Sequence, residues 1–270
     1  MTTPPVAPIR AVALDIDGTL AGGDHRVSPR STAALQALQA AAVFPILITG
    51  RTENAAISIA EAAALTTPII SCNGAIVTEA GSKRRLREST FTPAQLQPLI
   101  QWIHETHGLQ LFLWTADNMH AETMTAAAQQ LGEINQQDVV IQPLDAIDVS
   151  TIVKIMIGGD RDRLDQISAD LADSFPYIHR SLDQFFEGSP PGASKWEALN
   201  FVLDELAVPA GQCLGIADGD TDVGWLSQIG HPVAVSNARP AVLAIATLVI
   251  GHHADDSVGD FLQNRFQLPV

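Results

Sequence analysis

Basic residues are scarce in this chain. Of its 270 residues, 15 are Lys or Arg and 30 are Asp or Glu, for a formal net charge of −15. A surface of that sign repels nucleic-acid phosphates and anionic lipid. The one short basic run, Lys83-Arg84-Arg85, reads as a solvated turn. Cysteine is also rare. Cys72 and Cys213 are too few for a disulfide framework, and each sits in an apolar stretch, so both read as small buried side chains in a reducing compartment. Residues 1–8 form a Pro/Thr-rich tail without the charged-then-apolar pattern of a signal peptide. The longest apolar run, Ala241 to Gly251, is interrupted by Thr247 and falls short of the ~20 residues of a membrane span. The expectation is a cytoplasmic protein, monomer or weak homodimer, with neither nucleic acid nor membrane as partner.

Several chemical signatures are absent. There is no G-x-G-x-x-G after the first apolar run, no Walker loop, no G-x-S-x-G elbow and no H-E-x-x-H. The acidic run Asp218–Asp222 fails as a calcium loop, because its sixth and twelfth positions are Val223 and Ile229 rather than Gly and Glu. Neither His104 with His107 nor His252 with His253 reads as a metal pair. Disorder is excluded too: hydrophobic residues make up 46% and charged residues 17%, against a usual charged share of roughly 25%. A chain of this length exceeds one typical ~100–150-residue domain, so it is one large domain or a core carrying an insertion.

What remains has a clear rhythm. Arg10 to Asp17 reads as a buried strand that stops at Asp15, followed by a helix from Ser28, with Pro29 at its first position. Pro45–Thr49 is a second strand, Thr52–Ala64 a second helix, and Pro68–Cys72 a third strand. The alternation returns after Lys195, with strands at Cys213–Ala217, His231–Val235 and Leu248–Ile250. Such βαβ units build a parallel sheet. Residues 82–189 differ, with polar alternation in several strands and two longer helices, Pro93–His107 and Asp160–Ser174. The predicted architecture is therefore α/β: a doubly wound, mainly parallel, Rossmann-like core formed by residues 1–81 and 190–270. An α+β cap of residues 82–189 is inserted in it, with a largely antiparallel sheet.

In an open parallel sheet ligands bind beyond the carboxyl ends of the strands. There stand Asp15-Ile16-Asp17-Gly18-Thr19-Leu20, then Thr49-Gly50-Arg51, then Asn73-Gly74-Ala75, and later Asp218-Gly219-Asp220-Thr221-Asp222, with Lys195 opening a helix. Asp15, Asp17, Asp218 and Asp222 cannot crowd together ionised without a cation, and hard oxygen ligands without His or Cys favour Mg²⁺. Such an ion, with Lys195 and the Thr49 hydroxyl, offsets the repulsion between a carboxylate and a phosphate dianion. Asp15 can then attack phosphorus, and Asp17 can protonate the leaving oxygen and deprotonate the incoming water. Singly, each feature is bland: an Asp-Gly pair is a turn, Thr-Gly-Arg a helix start, and a lysine a solvated surface group.

In combination and in this order, these segments resemble the haloacid dehalogenase superfamily of phosphohydrolases, over nearly the whole chain. The likeness is greatest to its Cof-type subgroup, whose large α/β cap follows the second motif. Gly192-Ala193-Ser194-Lys195-Trp196-Glu197-Ala198-Leu199 looks like that subgroup's third motif, and Val235-Ser236-Asn237-Ala238 like its late loop. The resemblance implies Asp15 as nucleophile and Mg²⁺ ligand, and Asp17 as acid/base with a backbone carbonyl on the metal. It also implies Asp218 and Asp222 as metal ligands, Thr49, Gly50 and Lys195 around the phosphoryl group, and Asn73, Arg51 and Asn237 toward substrate. The implied activity is hydrolysis of a small phosphorylated metabolite, a sugar phosphate or phosphorylated cofactor. Ala217, Thr221 and Ser236 depart from the subgroup's usual Gly, Asn and Gly. Trp114, Asp117, His120, Arg180 and Glu187 are the cap residues considered for selecting the leaving group. Phosphomutase, phospho-accepting and non-catalytic metabolite-binding readings remain beside the hydrolytic one.

Overall fold

The computed structural model describes residues 8–106 and 108–268, so His107 and the first seven residues of the tail lie outside it. β1 (Ala11–Asp15) is buried along its whole length, which is what an Ala/Val/Leu run between two helical layers requires. After it come α1 (Pro29–Ala40), β2 (Phe44–Ile48), α2 (Glu53–Ala62) and β3 (Pro68–Ser71). The Ser28 hydroxyl caps α1 by accepting from the Ser31 amide at 3.0 Å. β1, β2 and β3 are parallel neighbours.

Two strands extend this sheet in the antiparallel sense: β4 (Ile76–Glu79) and β5 (Arg84–Glu88). The sheet thus keeps the chain through Glu88, beyond the boundary expected near residue 81. The basic run is correspondingly not a plain turn. Arg84 and Arg85 lie on β5, and the Arg85 guanidinium sits 2.6 Å from the buried Glu53 carboxylate. The polar edge-strand sequence Arg-Arg-Leu-Arg-Glu gives no apolar alternation by which to recognise it.

The inserted region comprises α3 (Pro93–Glu105), β6 (Leu109–Trp114), β7 (Met119–Ala121), α4 (Ala126–Asn135), β8 (Val139–Ile141), β9 (Lys154–Gly159), α5 (Arg161–Ser174), β10 (Ile178–Leu182) and β11 (Phe185–Gly188). Its sheet runs β10-β11-β9-β6-β7-β8, antiparallel except between β7 and β8. β7 and α4 are additions to the elements expected from sequence. Side chains alternate across this sheet. Leu111, Leu113, Ile155, Ile157 and Phe186 pack under α3 and α5. Phe112, Trp114, Met156 and Phe185 take the opposite face with Ala128 and Leu131 of α4.

The chain re-enters the first sheet through α6 (Lys195–Glu205) and β12 (Cys213–Ala217). It then forms α7 (Val223–Leu226), β13 (His231–Ala234), α8 (Pro240–Ile245), β14 (Leu248–Val249) and α9 (Ser257–Phe266). The finished sheet has the order β14-β13-β12-β1-β2-β3-β4-β5. β1 and β12, far apart in sequence, are parallel partners, with Leu14 beside Ile216. That register brings the segments after Asp15 and after Ala217 to one rim. Cys72 and Cys213 are buried free thiols, pushed up to about 12 chiefly by burial. Among the described residues no helix is long and apolar enough to cross a membrane.

Candidate active site

Asp15 ends β1, and the chain then turns tightly through Ile16–Leu20. Asp17 is extended (φ −78°, ψ 125°) and Gly18 left-handed (φ +75°). A side chain at position 18 would be strained by that φ, and its Cβ would lie 2.4 Å from an Asp218 carboxylate oxygen. The glycine therefore permits both the turn and the close approach of the loop after β12. Thr19 Oγ1 donates to Asp218 Oδ1 at 2.9 Å, holding the two loops together. Asn237 braces the same turn from behind: its Nδ2 donates to the Gly18 carbonyl at 2.8 Å and its Oδ1 accepts from the His253 amide at 3.1 Å.

Lys195 is the first residue of α6, whose N-terminus is capped by the Ser194 hydroxyl. Its buried ammonium donates to Asp15 Oδ1 at 2.7 Å and to Asp222 Oδ1 at 2.6 Å. Asp222 is engaged on both oxygens: Trp225 Nε1 donates to Oδ1 at 2.8 Å and the Gly219 amide to Oδ2 at 3.2 Å. One carboxylate oxygen each from Asp15, Asp218 and Asp222 lies within 4.8 Å of the others.

The electrostatics show the cost of this gathering. Burial, then the Asp222 and Asp218 charges, push the Asp15 carboxyl well above its usual range despite the opposing Lys195 ammonium. Asp218 is pushed up to about 6, mainly by burial and the nearby Asp222. Burial alone would lower Lys195, but the two carboxylates on its ammonium more than offset it and hold the lysine firmly charged. Three carboxylates thus stand against one lysine, which bonds two of them, an acidic excess made only of hard oxygen donors. That donor set fits a divalent cation of the Mg²⁺ type.

The loop after β2 approaches from the other side of β1. Thr49 Oγ1 accepts from the Arg51 amide at 3.1 Å. The Arg51 guanidinium grips Asp17 through both oxygens, Nε to Oδ2 at 2.8 Å and Nη2 to Oδ1 at 2.6 Å. Asn73 follows β3 with φ +56°, adjoining Cys72 at +49°, a pair of left-handed residues at the rim.

These elements enclose a cavity of about 230 Å³ between the two sheets. Its core wall includes Asp15, Asp17, Gly50, Arg51, Asn73, Lys195, Asp218 and Asp222, and its opposite wall includes Trp114, Lys154, Met156, Arg180 and Glu187. Thr49 and Asn237, expected to face phosphate and substrate, stand behind the lining. Asp117 and His120 are likewise not on the wall. Asp117 is an exposed partner of Arg85, and His120 is buried against Thr115 and Gln142. The sequence reading missed Lys154 altogether. It also gave no role to Thr19, which lies within the first motif, or to Trp225, which lies in none; both hold the carboxylates.

Comparison with known proteins agrees with this geometry. Residues 12–262 match the haloacid dehalogenase-like hydrolases. The chain is 26% identical over 271 residues to the HMP-PP phosphatase of Serratia proteamaculans, covering 96% of each chain. It is 26% identical over 280 residues to the pyridoxal phosphate phosphatase YbhA of Escherichia coli, covering 95% of this chain and 98% of that one. A haloacid dehalogenase-like hydrolase from Bacteroides thetaiotaomicron shares the fold with a TM-score of 0.86 at 22% identity, over 96% of this chain and all of the other. The chain belongs to the haloacid dehalogenase-like hydrolase family, in its Cof-type branch. It is a hydrolase of the phosphatase kind.

Proposed function

We propose that this chain is a Mg²⁺-dependent phosphatase that hydrolyses a small phosphorylated metabolite, a sugar phosphate or phosphorylated cofactor, through an aspartyl-phosphate on Asp15. The observation that carries the reading is the shared lysine: Lys195 bound at once to Asp15 and Asp222, with Asp218 beside them, at the floor of a cavity roofed by the second sheet. Residues through Glu88 and from Ser189 onward act as the catalytic core in this reading, and the segment between them as a cap.

Asp15, Asp218 and the Asp17 carbonyl would hold the ion, with Asp222 holding it through water, since both its oxygens already accept hydrogen bonds. When bound, Mg²⁺ supplies the positive charge that lets a carboxylate approach a phosphate dianion. The chain's own groups do the rest. An Asp15 carboxylate oxygen forms the bond to phosphorus as the bond to the leaving oxygen breaks. Asp17, which would first have to leave the Arg51 pair and take up a proton from solvent, hands that proton to the leaving oxygen and later takes one from the water that attacks phosphorus, freeing phosphate and regenerating Asp15. Lys195, the Gly50 backbone and the Thr49 loop hold the phosphoryl oxygens. Arg51 sets the direction of the Asp17 carboxylate through its two hydrogen bonds. The cap excludes bulk water and selects the leaving group with Trp114, Met156 and Arg180. The two buried free cysteines support a cytoplasmic enzyme.

The test is a phosphate-release assay over a panel of phosphomonoesters, with Mg²⁺ and then with EDTA. Release of free phosphate from some member, abolished by EDTA and restored by added Mg²⁺, is expected. Transfer of the phosphoryl group to another position of the substrate without free phosphate would make the chain a mutase instead. Turnover indifferent to EDTA would remove the metal from the mechanism.

A further inference from the structure

The cap wall carries one feature that closing a lid does not require: a buried cation bonded to the backbone of the phosphate loop. Lys154 opens β9, beside Trp114 of β6, and only 3% of it is exposed. Its ammonium lies 4.4 Å from the centre of the Trp114 ring and 3.0 Å from Glu187 Oε2 on β11. It also donates to the Gly50 carbonyl at 3.1 Å. Asn73, the core residue after β3, is a further polar neighbour that favours the charged form of Glu187. Burial pushes Glu187 up, but Lys154, Lys195 and Asn73 outweigh it, so this carboxyl titrates below its usual range. A Cβ at position 50 would lie 2.9 Å from Asn73 Oδ1 and 3.3 Å from the Lys154 ammonium, so a larger residue there would displace both groups. Cap and core thus meet through the Lys154–Gly50 hydrogen bond, backed by the Lys154–Glu187 ion pair.

The bonded carbonyl belongs to the Gly50–Arg51 peptide, and the other end of that peptide, the Arg51 amide, donates to Thr49 Oγ1. From this geometry we infer that Lys154 is a positioning residue for the phosphoryl-binding loop: it couples closure of the cap to the orientation of the Gly50–Arg51 peptide and hence of the Thr49 hydroxyl. The inference rests on the phosphatase reading above. It differs from a leaving-group contact, because the effect passes through the core loop and is felt by every substrate. It also differs from simple neutralisation of Glu187, because a neutral partner for Glu187 does not reproduce the bond to Gly50.

The test separates these three roles. Lys154→Met keeps the apolar stem over Trp114 but leaves Glu187 buried without its cation, so it also loses stability. Lys154→Met with Glu187→Gln removes both charges and recovers the melting temperature. Each is assayed with acetyl phosphate, whose leaving group is too small to reach the cap wall, and with pyridoxal 5′-phosphate. The expected result is a fall in kcat of roughly 10- to 100-fold in both variants and by the same factor for both substrates, the size expected when a reacting group is misplaced by about 1 Å. Recovery of kcat along with stability in the double variant would reduce Lys154 to charge neutralisation. A loss confined to KM for pyridoxal 5′-phosphate would make it a leaving-group contact. Either result overturns the inference. If the wild-type chain releases phosphate from neither compound nor from any other member of the panel, the phosphatase reading is at fault. The coupling is then read without turnover, by small-angle scattering. A larger radius of gyration in the double variant than in the wild type supports the clasp, and an unchanged radius overturns it.

Discussion

The two sheets dispose of their polar residues in opposite ways. The parallel core sheet is apolar along its strands and keeps its chemistry at their ends: Asp15, Thr49, Asn73 and Asp218 all follow the last residues of β1, β2, β3 and β12 or stand at them. The antiparallel cap sheet places Lys154, Met156 and Glu187 within one of its faces, alternating with Ile155 and Phe186, which point to the helices. In the first case a side chain reaches the site because its strand stops. In the second it does so because its strand turns that face toward the core. The core rim is thus set by where the chain changes direction, and the cap wall by register, which a shift of one residue would invert.

The largest effect that tests this contrast belongs at the rim. Asp15→Asn should abolish phosphate release, by roughly 10⁴- to 10⁶-fold, as loss of a nucleophile does. Circular dichroism and melting should show the fold intact, since the position lies at a strand end rather than in a packed layer. Residual turnover near wild type would end the assignment of Asp15 as nucleophile.

Lys195→Met comes next, because it removes the one cation shared by Asp15 and Asp222. Breaking a buried pair in this way should cost about 3–5 kcal/mol in urea unfolding, on top of lost turnover. A loss below about 1 kcal/mol would mean the rim carboxylates are solvated rather than buried.

A pH experiment probes the same rim without touching the cap. Asp15 and Asp218 hold protons in the folded protein that they release when unfolded, since both carboxyls are raised above their usual range. Above pH 4 the folded state therefore binds more protons, and the stability of the metal-free protein should fall as pH rises, with the Asp218 share of that fall complete above about 6. Lys195, also raised, contributes in the same direction, with stability lost only at strongly alkaline pH. Asp218→Asn should flatten the slope, read as melting temperature in EDTA from pH 4 to 8. An identical slope in the variant would place this loss of stability with rising pH elsewhere.

The cap should show smaller and more selective effects. Trp114→Ala is expected to change kcat/KM about tenfold for some phosphomonoesters and little for others, reordering the panel. A uniform change across the panel would mean that this wall does not select. Asp117→Ala, on the same domain but exposed and off the cavity, should leave kcat/KM within about twofold for all of them.

Legibility followed the same division. The core strands and their acidic ends were readable because a buried parallel strand must be apolar and must stop where a carboxylate stands. The cap was readable only as a mixed α+β insertion. β5 is too polar to announce itself, α4 carries Gly132 inside it, and β7 is three residues long. Trp114, Arg180 and Glu187, named from sequence as candidates, do line the cavity, whereas Asp117 and His120, chosen on the same grounds, do not. Residue type could not separate them, because what differs is which face of a strand or which side of a turn they occupy. Asn237 illustrates the same limit on the core side. Its motif marks it, but its amide is spent on the Gly18 carbonyl and the His253 amide.

Local sequence alone determined the alternation of strand and helix, the acidic segments after the strands and the glycine that lets Asp17 turn inward, since each depends on interactions within a few residues. Only tertiary structure decided that one lysine serves two carboxylates 180 and 27 residues away, and that a second lysine crosses between domains to a backbone carbonyl. Those contacts join segments distant in the chain, and a buried charge is identified by the partners that make its burial tolerable, which no local pattern contains.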